Sequence, residues 1–175
     1  MTKRLFIVTV FSASVFAQGP FTPRNSEDPW ESLKFLIGTW EATTHGGTAG
    51  ATGAGTYTFQ FELGHHVLAR HSKAAECKGP SDFDCEHGDL LYIYQGSPNQ
   101  PLKAIYFDNE GHVIHYDVTS PSPGKVVLLS ASSQPGPKFR LVYEFREGIM
   151  HGTFQLRAPG ESDFRSYLEW SGGKK

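Results

Sequence analysis

Residues 56–63 are Thr-Tyr-Thr-Phe-Gln-Phe-Glu-Leu, and this is the clearest strand pattern in the sequence. Apolar side chains occupy every second position from Tyr57 to Leu63, and polar side chains occupy the positions between them. Because successive side chains of a strand point to opposite faces, this alternation predicts a β-strand with one buried face. This strand is the first indication that the chain is an all-β protein.

Segments with the same character recur along the rest of the chain. They lie at 39–45, 65–76, 89–95, 102–107, 112–119, 125–132, 138–146, 149–157 and 163–170. Turn sequences such as Asp108–Gly111 and Glu147-Gly148 separate them. About ten strands with short connections predict an antiparallel up-and-down barrel, since closure removes exposed strand edges. Residues 46–55 contain only Gly, Ala and Thr and predict a flexible loop, because no side chain there can hold a core.

The N-terminal region predicts three successive parts. Residues 1–17 have two basic residues, an uncharged apolar run and small residues before a cleavage point, which is typical of a secretory signal peptide. Residues 18–27 predict a flexible lead-in. Asp28-Pro29-Trp30-Glu31 resembles a helix start, and Gly38 ends a short predicted helix over 29–36. Residues 28–175 are predicted to form one domain.

Export bears on the two cysteines and on the charge. An exported protein enters an oxidising compartment, periplasmic or extracellular, so Cys77 and Cys85 are predicted to form a disulfide. A metal site built from the two cysteines with His87 and Asp89 is the alternative, but its spacing matches no familiar zinc pattern. Cleavage would remove two of the 16 basic residues and none of the 18 acidic ones, which leaves no general attraction for nucleic acid. No later segment is apolar enough to span a membrane.

Gly38-Thr39-Trp40 follows the short predicted helix, and the glycine-rich segment, the aromatic strand at 57–63 and a Gly turn come after it. In this order the chain resembles the calycins, in particular bacterial lipocalin-like proteins of unassigned function and, more distantly, the nitrobindins. The resemblance implies a barrel of eight or ten strands with a central cavity, often for an apolar or planar ligand. It also raises the question of haem, which would need an inward histidine on a late strand.

Alternation along the strands selects the side chains that could face such a cavity. The predicted ligand-binding residues are Trp40, Tyr57, Phe59, Phe61, His71, Tyr116, Tyr143 and Phe154. Aromatic rings would form the walls and Tyr hydroxyls would orient the ligand. The same residues could instead fill the barrel as a core. Gly152, in the middle of a predicted strand, indicates a close approach or a bend.

The histidines suggest little chemistry. His151 alternates with apolar neighbours and is predicted to face outward, so haem is disfavoured and no cofactor or metal is expected. His112 and His115 would face opposite sides of a strand. His71 shares a face with Val67 and Ala69, while Leu68 and Arg70 share the other, so the inward face of that strand stays open. An inward His71, aided by Tyr106 or Asp108, is the candidate catalytic group.

Three functions follow from these readings. The first is an exported barrel that binds a small, partly apolar ligand. The second is a small-molecule isomerase or cyclase that uses an interior histidine. The third is a structural or interaction domain with a filled core. The residues favour a binding protein over an enzyme, and they do not indicate the ligand or the oligomeric state.

Overall fold

The structure, a computed structural model, describes residues 28–81, 83–131 and 136–175. The predicted signal peptide at 1–17 and the predicted lead-in at 18–27 lie outside these described residues. Within the described ranges, none of the helical segments has both the length and the apolar character that crossing a bilayer requires.

Ten antiparallel strands follow a short 3₁₀ helix at Glu31–Leu36. The strands are β1 Gly38–Gly46, β2 Thr52–Glu62, β3 Val67–Lys78, β4 Asp89–Gln95, β5 Leu102–Asp108, β6 Val113–Ser122, β7 Lys125–Ser130, β8 Lys138–Arg146, β9 Ile149–Arg157 and β10 Arg165–Gly173. Each strand pairs with its neighbours in sequence, and β1 pairs with β10 to close the barrel. The predicted all-β, up-and-down barrel is confirmed.

The 3₁₀ helix packs against the end of the barrel where β1 begins. The Asp28 carboxylate accepts a hydrogen bond from the Trp30 backbone N–H at 3.0 Å, just before the helix starts. Leu33 and Leu36 are fully buried on its inner side. The Trp40 indole N–H donates to the Leu36 carbonyl at 2.7 Å, which joins the helix to β1.

The interior next to this helix is densely filled, and we call it the closed half. Its core contains the helix leucines with the inward side chains of the adjoining strand ends, among them Trp40, Phe59, Leu68, Ile93, Val126, Tyr143 and Met150. Phe59 contacts the Tyr143 ring edge-to-face at a centroid distance of 5.3 Å. Burial of these large rings is the main stabilising contribution of this half.

The opposite half of the barrel, where β1 ends and β4 begins, is hollow, and we call it the open half. Its wall continues further than the sequence predicted, because half of the predicted loop at 46–55 is strand: β1 extends to Gly46 and β2 begins at Thr52. The short connection between them is held to β10, since Thr48 and Ala49 donate backbone hydrogen bonds to Ser166 and Tyr167. The predicted loop over 46–55 is therefore shorter than predicted, because only residues 47–51 lie outside the strands.

A disulfide joins Cys77, at the end of β3, to Cys85 in the following loop, as predicted. The loop therefore returns to the rim of the open half instead of extending into solvent. Because both sulfur atoms are used in this bond, the alternative metal site that included the two cysteines is excluded.

Gly152 on β9 marks a close approach, as its position predicted. The Trp170 indole lies so near that a Cβ atom on Gly152 would be 2.0 Å from Trp170 Cε2. Only glycine leaves room for the ring at this position. Trp170 is thereby held across the barrel between the closed half and the open half.

Candidate functional site

The open half contains a cavity of about 410 Å³. Its apolar wall comes from β6, β8, β9 and β10, and includes Ile114, Phe139, Leu141, Phe154, Leu156 and Leu168. A β-bulge between Ser166 and Leu168 interrupts the alternation of β10, and both Tyr167 and Leu168 line the cavity. A second lobe of about 180 Å³ lies between β2, β3 and the disulfide loop. The residues that line both lobes include Arg70, Asp89 and Trp170.

A buried ion pair lies where the two lobes meet. The Arg70 side chain is 5% exposed and donates hydrogen bonds to the Asp89 carboxylate and the Tyr143 hydroxyl. Burial alone would raise the pKa of the Asp89 carboxyl, but the Arg70 charge and the hydrogen bonds to it outweigh burial and lower the pKa to about 2. The pair therefore stays ionised, and its two charges cancel within the barrel.

Three polar atoms beside this pair have no hydrogen-bond partner among the described residues. They are the Tyr57 hydroxyl, Arg70 Nε and Trp170 Nε1, and all three are buried. Tyr57 and Trp170 are close enough to interact, but their geometry is not that of a hydrogen bond. Burial also raises the pKa of the Tyr57 hydroxyl, so it stays protonated. A buried polar atom without a partner costs about 1–3 kcal/mol, so these atoms are ready to bond to something that enters.

His87 connects the buried pair to the rim of the cavity. Its Nε2 lies 3.0 Å from the Tyr106 hydroxyl and 3.6 Å from an Asp89 carboxylate oxygen, and its Nδ1 lies 2.9 Å from Glu110 Oε1. The Asp89 and Glu110 carboxylates outweigh burial and raise the pKa of His87 to about 9. His87 is therefore positively charged at neutral pH.

Asn109 ties the disulfide loop to the turn between β5 and β6. Its side-chain oxygen accepts the Gly88 N–H at 2.8 Å, and its amide nitrogen donates to Asp84 at 3.1 Å. The next residues of the turn are fixed by Asp108, which accepts hydrogen bonds from the backbone and imidazole of His112. These contacts bring Asp84, His87 and Glu110 together at the mouth.

The structure places the predicted ligand-binding residues in three different environments. Tyr57, Tyr116 and Phe154 line the two lobes. Trp40, Phe59 and Tyr143 belong to the packed core, although the Tyr143 hydroxyl reaches Arg70. Phe61 lies at the helix end of the barrel, with Trp30 and His65 beside its ring.

His71 lies on the outer wall of β3, so its inward placement is corrected. It pairs across the strands with Thr58 and Leu90, and its Nε2 lies 2.9 Å from Glu62 Oε1. The inward row of β3 is instead Leu68, Arg70 and Ser72, because Arg70 stands opposite the buried Phe59 and Leu91. Alternation could not choose between these rows, since each row mixes polar and apolar residues.

The structure also separates the three groups of the candidate catalytic site. Tyr106 and Asp108 line the cavity, whereas His71 is on the far side of the barrel wall. The histidine that reaches Tyr106 is His87, which the sequence singled out only beside the cysteines. His151 pairs with Glu144 and Ser171 on the outer face of β9, while its neighbours Met150 and Gly152 are buried.

Comparison with known proteins gives a likeness in overall shape only. No protein family matches the sequence, and no curated protein matches it. Among the similar solved structures is a Schistosoma mansoni fatty acid binding protein in complex with arachidonic acid. It has a TM-score of 0.49 and 10% sequence identity, and the alignment covers 82% of this chain and 98% of that chain.

Proposed function

We propose that this protein binds a small, partly apolar molecule in the open half of its barrel, through an uncharged oxygen atom of the ligand. The observation that carries the proposal is the cluster of buried atoms without partners: Tyr57 Oη, Arg70 Nε and Trp170 Nε1. Arg70 Nε and Trp170 Nε1 carry hydrogens and can only donate, so the complementary group is an acceptor.

The size and lining of the cavity support a small organic ligand. Its volume of about 410 Å³ lies within the range of ligand sites, which is roughly 300–1,000 Å³. The rings of Phe139 and Phe154 are stacked at 5.8 Å with an angle of 8° between them, and both border the cavity. They provide a flat apolar surface for the body of the ligand.

The charges around the cavity favour an uncharged oxygen over a carboxylate. Asp89 already neutralises Arg70, and the cavity is also lined by Asp84, Asp108 and Glu110. His87 is the other cation there, and it lies between two of these carboxylates. A ligand carboxylate would therefore meet more negative than positive charge, whereas a carbonyl or hydroxyl oxygen would not.

The proposal includes an exported setting, periplasmic or extracellular. It is supported by the signal-peptide pattern of residues 1–17 and by the Cys77–Cys85 disulfide, which favours an oxidising compartment. N-terminal sequencing of the protein from the culture medium or periplasmic extract tests this part. We expect a mature chain that begins at Gln18.

Native mass spectrometry is the direct test of binding. Protein purified gently from an exporting host is expected to carry a small molecule that is lost on denaturation. Without a retained ligand, the neutral fluorescent dye Nile red serves as the probe, and one saturable site per barrel is expected. A protein that carries no ligand and binds neither Nile red nor any component of a neutral lipid extract would refute the proposal.

Two tyrosine variants locate the site. Tyr57→Phe removes one unpartnered hydroxyl, and we expect the affinity for the retained ligand to fall about 3- to 10-fold, the value of one hydrogen bond. Tyr94→Phe is the matched control, because Tyr94 pairs with Val67 and Lys103 on the outer wall. Equal affinities of the two variants would place the ligand's oxygen elsewhere.

A further inference from the structure

We propose that Asp84, His87 and Glu110 bind a divalent transition-metal ion, such as Zn²⁺, at the mouth of the cavity. One ligand atom from each residue, a ring nitrogen of His87 and a carboxylate oxygen of Asp84 and of Glu110, lies within 4.8 Å of the other two. An imidazole nitrogen with two carboxylate oxygens is a donor set that suits zinc and its first-row neighbours. The inference does not depend on which ligand the cavity binds.

The ligand atoms are already close to the separations that a zinc ion requires, so only small side-chain movements are needed. Bonds of about 2.0–2.2 Å to zinc place two tetrahedral ligand atoms about 3.4 Å apart. His87 Nδ1 and Glu110 Oε1 are 2.9 Å apart, so an ion between them displaces the proton that they share and separates them slightly. The proton is released to the solvent, which leaves the imidazole neutral, and the Asp84 carboxylate supplies the third ligand atom. Two carboxylates with a neutral imidazole balance the charge of a divalent cation.

Groups outside the cluster hold each ligand residue in place. His87 keeps its other nitrogen towards the Tyr106 hydroxyl at 3.0 Å and Asp89 at 3.6 Å, the arrangement in which metal-binding histidines are held in proteins. Asp84 accepts hydrogen bonds from the Asn109 amide and the Glu86 backbone N–H. The Glu110 backbone N–H donates to Asp108.

The disulfide fixes the loop that supplies two of the three ligands. Cys85 lies between Asp84 and His87 in sequence, and its bond to Cys77 anchors this segment to the end of β3. The third ligand comes from the β5–β6 turn, which Asn109 joins to the same loop through Gly88. The cluster is therefore attached to the barrel from both sides.

The position of the cluster at the cavity would let the metal ion contact a bound molecule as well as stabilise the loop. All three residues line the main cavity, so an ion held by them is in contact with its contents. Three protein ligands leave at least one coordination position for water or for an oxygen of a bound molecule, as in catalytic zinc sites. An ion here would be bordered by the cavity on one side and by solvent on the other.

Calorimetric titration of the protein with Zn²⁺ alone, in a buffer that does not bind metals, tests the proposal. One ion per chain is expected, with micromolar or tighter affinity. His87→Ala and Glu110→Gln are each expected to weaken binding more than about 100-fold, since changes outside the ligand shell alone cost 10- to 100-fold. Co²⁺ is expected to give visible absorption bands of a low-coordinate site, and His87→Ala abolishes them.

Two further variants make the result decisive. Asp84→Asn keeps the shape of the side chain and leaves the His87 contacts intact, so it tests the site even if His87→Ala does not fold. His115→Gln removes an exposed histidine that pairs with Ile105 on the outer wall and is expected to bind Zn²⁺ as the parent does. Absence of stoichiometric binding, or an affinity that neither Asp84→Asn nor Glu110→Gln weakens, would overturn the proposal.

Discussion

The same ten strands build both halves of the barrel, yet one half is packed and the other is hollow. In the closed half, the inward positions hold large apolar side chains such as Trp40 and Phe59, and the 3₁₀ helix adds Leu33 and Leu36. In the open half, Arg70 and Asp89 occupy inward positions, and no helix covers the end among the described residues. A filled core and an internal cavity are therefore not alternatives for this fold, because each half of the barrel takes a different one.

The largest effect is expected when a large side chain in the core of the closed half is replaced by alanine. Trp40→Ala removes a fully buried indole and its hydrogen bond to Leu36, and should lower the free energy of unfolding by about 3–5 kcal/mol. Phe154→Ala, on the cavity wall, should cost only about 1–2 kcal/mol, because one side of its ring borders the cavity and has fewer contacts to lose. Urea unfolding measures both values. Equal losses would show that the two halves do not differ in packing.

Reduction of the disulfide should loosen the open half. The Cys77–Cys85 bond closes a short loop, and breaking it should lower the free energy of unfolding by about 2–3 kcal/mol. Hydrogen exchange measured with and without reductant should be accelerated most in the loop, at 79–81 and 83–88, and around Trp40 by no more than the fall in global stability accounts for. An equal acceleration at both places would mean that the two halves unfold together.

Gly152 lies where the two halves meet, so its substitution is expected to affect both the core and the cavity. Gly152→Ala places a methyl group against the Trp170 indole and should cost about 1–3 kcal/mol. Because the displaced ring lines both lobes, a shift in tryptophan fluorescence should accompany the loss. Thermal unfolding and an emission spectrum check the two effects. An unchanged spectrum with full stability would show that Trp170 has other space to occupy.

The smallest effect is a pH dependence confined to the open half. The pKa of His87 is raised from 6.5 to about 9 in the folded protein, so its charge stabilises the fold fully below about pH 6.5, and this stabilisation is lost as the pH rises through about 9. Partial exposure limits it to about 1 kcal/mol. The free energies of unfolding of the parent and of His87→Gln, both measured with a chelator present, should differ below about pH 6.5 and become equal as the pH rises to about 9. His115→Gln serves as the control and should run parallel to the parent.

The sequence predicted the wall of the barrel better than its interior. The bounds of β4, β8 and β9 match the predicted 89–95, 138–146 and 149–157, because turn residues flank alternating segments there. The start of β2 was missed because Gly53 and Gly55 carry no pattern. Glycine is needed at position 55 because the neighbouring strand passes very close: a Cβ on Gly55 would lie 2.5 Å from the Lys73 carbonyl oxygen.

The candidate site was hardest to predict because its polar residues meet only through the register of the strands. Arg70 and Asp89 are 19 residues apart and pair because β3 and β4 are neighbours. An arginine in a strand with no obvious partner nearby in sequence is expected to face outward, since burial of an unpaired charge is costly. Glu110 reaches His87 across 23 residues. Because the members of these pairs are far apart in sequence, no short sequence motif indicates them.

The attachment of the chain ends has a practical consequence. Asp28 lies by the helix, and Lys174 and Lys175 contact Trp40 and Thr39 through a bridge and a backbone hydrogen bond, so both ends of the described chain are at the closed half. A tag, a fusion partner or a surface linker joined after Lys175 would therefore depart from the side opposite the mouth. The barrel can be immobilised through Lys175 with the mouth of its cavity facing the solution.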